Sequence, residues 1–236
     1  MATTTEGARA RTTGGLRSRA SALGRAVGRL GTPPGAATAL TGIVALYVLL
    51  VAFGNITDFG TNREFVRHVL AMDTTFKDEQ LMWRAISSPA LQDAVYVCII
   101  AWETLTAAVL CVATARWASA TWRGPRTGTA PYAPGAAADT AHDAAAELAA
   151  HSARFERARR TSTLGLVLHL LLFGAGFIAV GGEWFAMWQS KDWNGLDAAV
   201  RNVTVAGLAL ILVQLPARRP TERSIPAPPQ PAGEPD

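Results

Sequence analysis

The 236 residues include only two cysteines, Cys98 and Cys111. Both fall in one predicted helix, 13 residues or roughly 20 Å apart, which is too far for a mutual disulfide. A disulfide framework and a paired-cysteine metal site are therefore excluded, and both residues read as small apolar side chains. The sequence also lacks a nucleophile elbow, a phosphate-cradling glycine loop and a dinucleotide fingerprint. No catalytic residue, cofactor or metal is called for, and the chain reads as a non-enzyme. The third absence is charge, which disappears over long stretches.

Ala36 to Asn55 carries no charged residue. Ala94 to Ala115 carries Glu103 alone, Leu164 to Met187 carries Glu183 alone, and Ala198 to Leu215 carries Arg201 alone. A helix rising about 1.5 Å per residue needs about 20 apolar residues to cross a hydrocarbon core. Each block matches that length, and a spanning helix satisfies its backbone hydrogen bonds internally. Core helices of a soluble protein are the alternative, but four such long blocks with charged connectors argue against it. The expected fold is all-α, a four-helix transmembrane bundle with spans at about 36–55, 94–115, 164–187 and 198–215.

The net charge of +4 is distributed by segment. Residues 1–35 hold six basic residues, 116–160 hold seven, and three follow Leu215, whereas connector 55–93 has four against six acids. The positive-inside rule then places both termini and the 116–160 linker in the cytoplasm, with connectors 55–93 and 188–197 outside. The expected location is the inner (plasma) membrane, multi-pass. A basic rim facing anionic lipid explains the charge without nucleic acid.

The 1–35 tail, rich in Arg, Thr, Ala and Gly, is expected to be disordered, as is the Pro-rich 216–236 tail. An Arg-rich start before an apolar run resembles a signal peptide. The run is too long for an h-region and no A-x-A site follows it, so an uncleaved first span is the better reading. Trp122 to Thr140 reads as a flexible linker, and Thr140 with Asp143 caps a helix running toward Arg160. Asp143, Glu147 and His151 share one stripe there, which reads as a charged helix face in preference to a metal site.

Connector 55–93 is structured. Thr61 with Glu64 forms a capping-box pattern ahead of Phe65, Val66, Val69 and Leu70. Thr75 with Asp78 repeats it ahead of Leu81, Met82, Ala85 and Ile86. Two short amphipathic helices are predicted, and Ser88-Pro89 suits the start of the second span.

Ionisable groups inside a membrane mark function or helix register. Counted along α-helices, Glu103 lies about 14 Å below the outer surface, Glu183 about 7 Å and Arg201 about 6 Å. Glu183 and Arg201 can then pair, with Glu103 a turn further down. This cluster is either a structural ion pair or a proton or substrate relay. His169 finds no second histidine at its depth, which disfavours haem, and a histidine hydrogen-bonded between helices remains. Ala175, Ala179 and Gly182 form a small-residue stripe for close helix packing. Trp184, Trp188 and Trp193 suit an interfacial belt. The triplets at Asn55 and Asn202 match a glycosylation pattern but lie at or within spans, which makes them accidental.

NITDFGTNREFVRHVLAMDTTF (Asn55 to Phe76), MWRAI (Met82 to Ile86) and GGEWFAMWQSKDWNG (Gly181 to Gly195) resemble signature stretches of the DUF2165 family of small integral membrane proteins. The resemblance covers roughly 40–115 and 161–215, and implies a compact multi-span protein without an established activity. The long tails and the Ala/Gly/Pro-rich insert depart from it. Charge counting places these stretches on one outer face, whose candidate residues are Asn55, Asp58, Asn62, His68, Asp73, Arg84, Trp184, Trp188, Gln189, Trp193 and Asn194. Three functions compete. The first is an accessory or assembly protein whose outer face binds a membrane or extracytoplasmic protein or a lipid. The second is a small proton-coupled transporter using Glu103 and Arg201, and the third a membrane enzyme or quinone-binding subunit. The lipid bilayer is the one partner all three share, and the oligomeric state stays open.

Overall fold

A computed structural model describes residue 24 and residues 27–122 and 137–215. The readings of the 216–236 tail and most of the 122–140 linker fall outside the described residues. So does most of the 1–35 tail, which is helical at 27–30 and again from Pro33. Four long apolar helices dominate. Helix α1 spans Pro33–Thr57, α3 Pro89–Trp122, α4 Ala137–Leu170 and α5 Leu196–Gln214. A short helix α2, Phe59–Ala71, lies between α1 and α3. The third span continues past α4 as a π-helical segment, Leu171–Trp184, and single 3-10 turns sit at Met82–Arg84 and Met187–Gln189.

Local chemistry explains most boundaries. Thr32 caps α1 by accepting from the Gly35 amide at 3.3 Å, and prolines occupy the first turn, where their missing N–H costs nothing. Helix α2 begins at Phe59, two residues before the expected Thr61 cap. The Thr61 hydroxyl instead donates to the Asp58 carboxylate at 3.0 Å. The second connector segment forms only the Met82–Arg84 turn. Thr75 turns back to donate to the Met72 carbonyl at 2.7 Å, and Lys77 at φ 56° interrupts any helix.

The long helices close a ring in which α1 packs on α3, α3 on α4, α4 on α5 and α5 back on α1. The interior is small: Ala37, Ala45, Ala107, Ala158, Ala206 and Ala209 are buried with Val44, Val48, Leu110 and Leu166. Trp117 is the one large ring in this cluster, and many of the large apolar side chains point outward, with Phe53 and Ile211 each 63% exposed and Leu208 60%. Small residues inside and large apolar ones outside is the packing of a bundle solvated by lipid, where close backbone approach replaces the hydrophobic drive. At Gly165 a Cβ would lie 2.6 Å from Leu110 Cδ2, so α3 and α4 meet there at glycine distance. Both α3 and α4 are 34 residues long, about 51 Å, and overshoot a hydrocarbon core of about 30 Å.

The small-residue stripe expected in the third span does not form. Ala175 and Ala179 are exposed, and the buried positions of the segment are Leu172, Phe173 and Gly182. The reason is the winding: i→i+5 bonding, which ends with the Phe185 amide donating to the Val180 carbonyl at 3.0 Å, leaves Ala175 and Ala179 on one exposed face and carries Gly182, three residues further on, off it.

Helix α2 is tied to the top of α3 by charge. Arg63 Nε donates to Asp93 at 2.8 Å, with a second contact from Arg63 Nη2, and Arg67 adds bonds at 3.1 and 3.2 Å. Asp93 precedes the apolar run that starts at Ala94. The Arg63 hydrogen bond first, then those of Arg67 and both positive charges, hold its carboxyl well below the usual carboxylate range. A depressed carboxylate contributes stability that is fully present above its unfolded pKa and is lost as pH falls through the folded value. The tie should therefore hold unchanged from pH 8 to about 4, the ordinary aspartate pKa, and loosen only in stronger acid. Hydrogen exchange of the α2 amides, corrected for intrinsic rate, checks this; Asp93→Asn should raise it at every pH.

Candidate functional site: a capped chamber at the connector end

The two connectors meet at one end of the bundle and interlock. The Thr74 hydroxyl donates to Ser190 Oγ at 2.8 Å, and the Trp193 amide donates to the same oxygen at 3.0 Å. The Phe76 amide donates to Gln189 Oε1 at 2.9 Å, and the Phe76 ring meets Trp188 edge-on. His68 Nδ1 lies 2.8 Å from Asp73, and its ring stacks on Trp193 with centroids 4.4 Å apart. Arg84 sits over Trp184 at 4.8 Å from the ring centroid, and Trp184 meets Trp83 edge-on. Asn194 opens α5, its Oδ1 accepting from the Leu196 amide at 3.0 Å.

Two non-glycine residues with left-handed backbone make these junctions. Met72 (φ 52°) ends α2 and Ala186 (φ 51°) follows the π-helical segment. Both are buried, in one cluster with Val66, Leu70, Tyr96 and Phe185. A left-handed non-glycine residue costs on the order of 1 kcal/mol and persists where its surroundings hold it, as this cluster does.

Beneath the cap lies a chamber of about 390 Å³. It runs from Asn62 and Gly195 at the connector end to Glu103 and Asn202 within the bundle. Glu103 is 2% exposed, and its Oε2 accepts from Asn55 Nδ2 at 2.6 Å. Its other carboxylate oxygen has no hydrogen-bond partner among the described residues. Tyr96 donates to the Asn55 carbonyl at 3.2 Å, which fixes α1 against α3 at this level. On the facing side Asn202 Nδ2 donates to Tyr47 Oη at 3.1 Å and to the Ala198 carbonyl at 2.8 Å. The His169 ring donates through Nε2 to Asn202 Oδ1 at 3.1 Å.

Glu103, Glu183 and Arg201 are not brought together. Among the described residues no hydrogen bond or ion pair joins any two of them. Glu183 and Arg201 are exposed, and Arg201 lines a separate cleft of about 240 Å³ with Tyr47, His169 and Asn202. The two cavities share Tyr47 and Asn202. Of the outer-face candidates, Asn55 and Asn62 line the chamber; His68, Asp73, Arg84, Trp184, Trp188, Gln189 and Trp193 form the cap; Asp58 and Asn194 start helices. Sequence reasoning passed over Tyr47, Tyr96, Ser190 and Asn202 as site residues. Asn202 was visible as an uncharged amide inside a span, and a search for intramembrane polar groups of every kind, charged or not, would have found it.

Asp143, Glu147 and His151 form no metal site, since among the described residues no three His, Cys, Asp or Glu side chains converge. Cys98 and Cys111 are free and exposed on α3. The glycosylation triplets begin at Asn55 and Asn202, which are 7% and 8% exposed and already hydrogen-bonded.

No curated protein and no solved structure matches the chain. The profile of one family does match, over residues 35–139 and 135–216, and its description reads "predicted small integral membrane protein". Those two stretches take in all four apolar helices, both connectors and the chamber between them. The chain is an integral membrane protein of the DUF2165 family.

Proposed function

We propose that this is a non-enzymatic binding protein of the plasma membrane, which holds a small membrane-soluble molecule in the chamber under its connector cap. The distribution of arginine supports an orientation with both termini cytoplasmic and the cap outside. The observation that carries the reading is Glu103. It is almost wholly buried, it lines a cavity of about 390 Å³, and one of its oxygens is uncommitted. A bundle packed elsewhere on alanine keeps a half-open hollow here, and its walls forgo the contacts that a filled interior would give them. An intramembrane carboxylate inside the void is a functional group by default. The cap carries one histidine–carboxylate pair, His68 with Asp73, and neither residue is among the chamber walls, which favours binding over catalysis.

Gly54 supplies the test. It lines the chamber, and a Cβ added there would meet nothing within 4 Å. Gly54→Leu should fill the space and raise helix stability by about 0.8 kcal/mol. Native mass spectrometry from mild detergent should find a small molecule retained by the wild type and lost from Gly54→Leu, with melting temperature unchanged or higher. No retained molecule, or equal retention in the variant, overturns the proposal.

A second reading has its own observation. Phe76 and Trp83 are 73% and 70% exposed although the connector carrying them is held in place by hydrogen bonds. Fixed, protruding rings are what an accessory protein would present to a membrane partner. Photocrosslinking from position 76 in intact membranes separates the two: adducts with lipid alone leave the chamber as the functional site, and a discrete protein adduct favours docking.

A further inference from the structure

We infer that the chamber is a site for an organic ammonium group, a protonated or quaternary amine carried on an apolar body. The inference rests on the binding reading above and names its ligand class. The walls contain one carboxylate, Glu103, and no lysine, arginine or histidine. Five aromatic rings surround the same space: Tyr47, Phe65, Tyr96, Phe173 and Phe177. The remaining polar groups are amides, Asn55, Asn62 and Asn202.

The carboxylate and the rings of that inventory select for positive charge. A buried carboxylate with no cationic partner is unfavourable unless a proton or a cation joins it. The Asn55 amide satisfies one oxygen and leaves the other free, so a single cationic donor completes the set. Aromatic faces attract cations through their quadrupoles, most strongly where water is excluded, and cages of rings are the recurrent solution for quaternary ammonium. An anion would meet the carboxylate with no basic group to offset it. A neutral apolar molecule would leave neutralisation of the carboxylate to a proton, whereas a cation supplies it directly. Arg201, the basic residue of the fourth span, lines the neighbouring cleft and is not among the chamber walls. The free volume limits the ligand to a small one.

The test compares three probes of one chain length on purified full-length protein: hexyltrimethylammonium, hexyl sulfate and hexanol. Binding is read as the concentration-dependent rise in melting temperature, which follows the ratio of free ligand to Kd. Hexyltrimethylammonium should stabilise the wild type saturably, with an apparent Kd at least tenfold below that of hexanol, and hexyl sulfate should not bind. Glu103→Gln keeps a group able to accept from Asn55 and removes the charge. It should raise the ammonium Kd at least tenfold and leave hexanol unchanged. If Glu103→Gln does not fold, Glu103→Asp withdraws the carboxylate by one methylene and should weaken the ammonium while sparing hexanol. Equal affinity for hexanol and the ammonium, or an ammonium affinity indifferent to Glu103, overturns the ammonium assignment. If hexanol binding is still lost in Gly54→Leu, the chamber itself survives that result. If no probe responds to Gly54→Leu, the chamber reading fails as well.

Discussion

Trp117→Ala should remove about 3–5 kcal/mol of stability, the range for truncating a buried tryptophan. Trp117 is 5% exposed, on α3, and its ring packs on Phe155 of α4 at 5.9 Å between centroids. Its Nε1 donates to Ser162 Oγ at 2.7 Å, and Ser162 lies 3.5 Å from Thr41 Oγ1 on α1. One side chain thus links three of the four spans, at the end of the bundle opposite the cap. Trp117→Phe keeps most of the ring volume and loses the hydrogen bond, so it should cost about 1 kcal/mol. Unfolding in graded SDS measures both, with Trp122→Ala as the reference, because Trp122 is 41% exposed. Equal midpoints for Trp117→Ala and Trp122→Ala would remove Trp117 from its place in the bundle.

Gly165→Leu is the second large effect, and it works by excess volume. A Cβ at position 165 would sit 2.6 Å from Leu110 Cδ2, 2.7 Å from its Cγ and 3.2 Å from Val109 Cγ1. Leu110 is fully buried, so its side chain has no open space to swing into. The two long helices must separate or tilt, and the cost should reach the upper end of overpacking, about 3 kcal/mol. Gly207 is the internal control: it lies within α5, and nothing stands within 4 Å of an added Cβ. Gly207→Leu should leave the SDS midpoint unchanged or raise it. Loss of the monodisperse detergent peak for Gly165→Leu with retention for Gly207→Leu is the expected pattern.

What was readable in the sequence was whatever depends on composition over some 20 residues. The runs Ala36–Asn55 and Ala94–Ala115 fall within membrane-length helices, and Leu164–Met187 and Ala198–Leu215 overrun theirs by three residues and one, because exclusion of charge from hydrocarbon is a property of the whole run. The meeting of the two signature stretches was also readable, since alternation of spans sends both connectors to one end. Register was not. Depths counted at 1.5 Å per residue put Glu183 beside Arg201, but the chain winds Leu171–Trp184 as a π-helix, and the phase of every later side chain shifts. Glu103 was visible as an intramembrane carboxylate, yet its partner was not. Asn55 ends the first apolar run, which made it look like a rim residue. Helix α1 continues two residues further, to Thr57, which keeps Asn55 within the helix and facing Glu103. Pairings between helices depend on azimuth, and a single amphipathic pattern does not encode azimuth when both lipid and core are apolar.

The scarcity of sulfur has a practical meaning once the helices are in place. Cys98 and Cys111 are both free, both exposed on α3, and about 20 Å apart along its axis. The protein therefore carries its own depth gauge. One thiol reads the upper part of the bilayer and the other the lower part, on a single rigid rod and with no engineered label to disturb the packing.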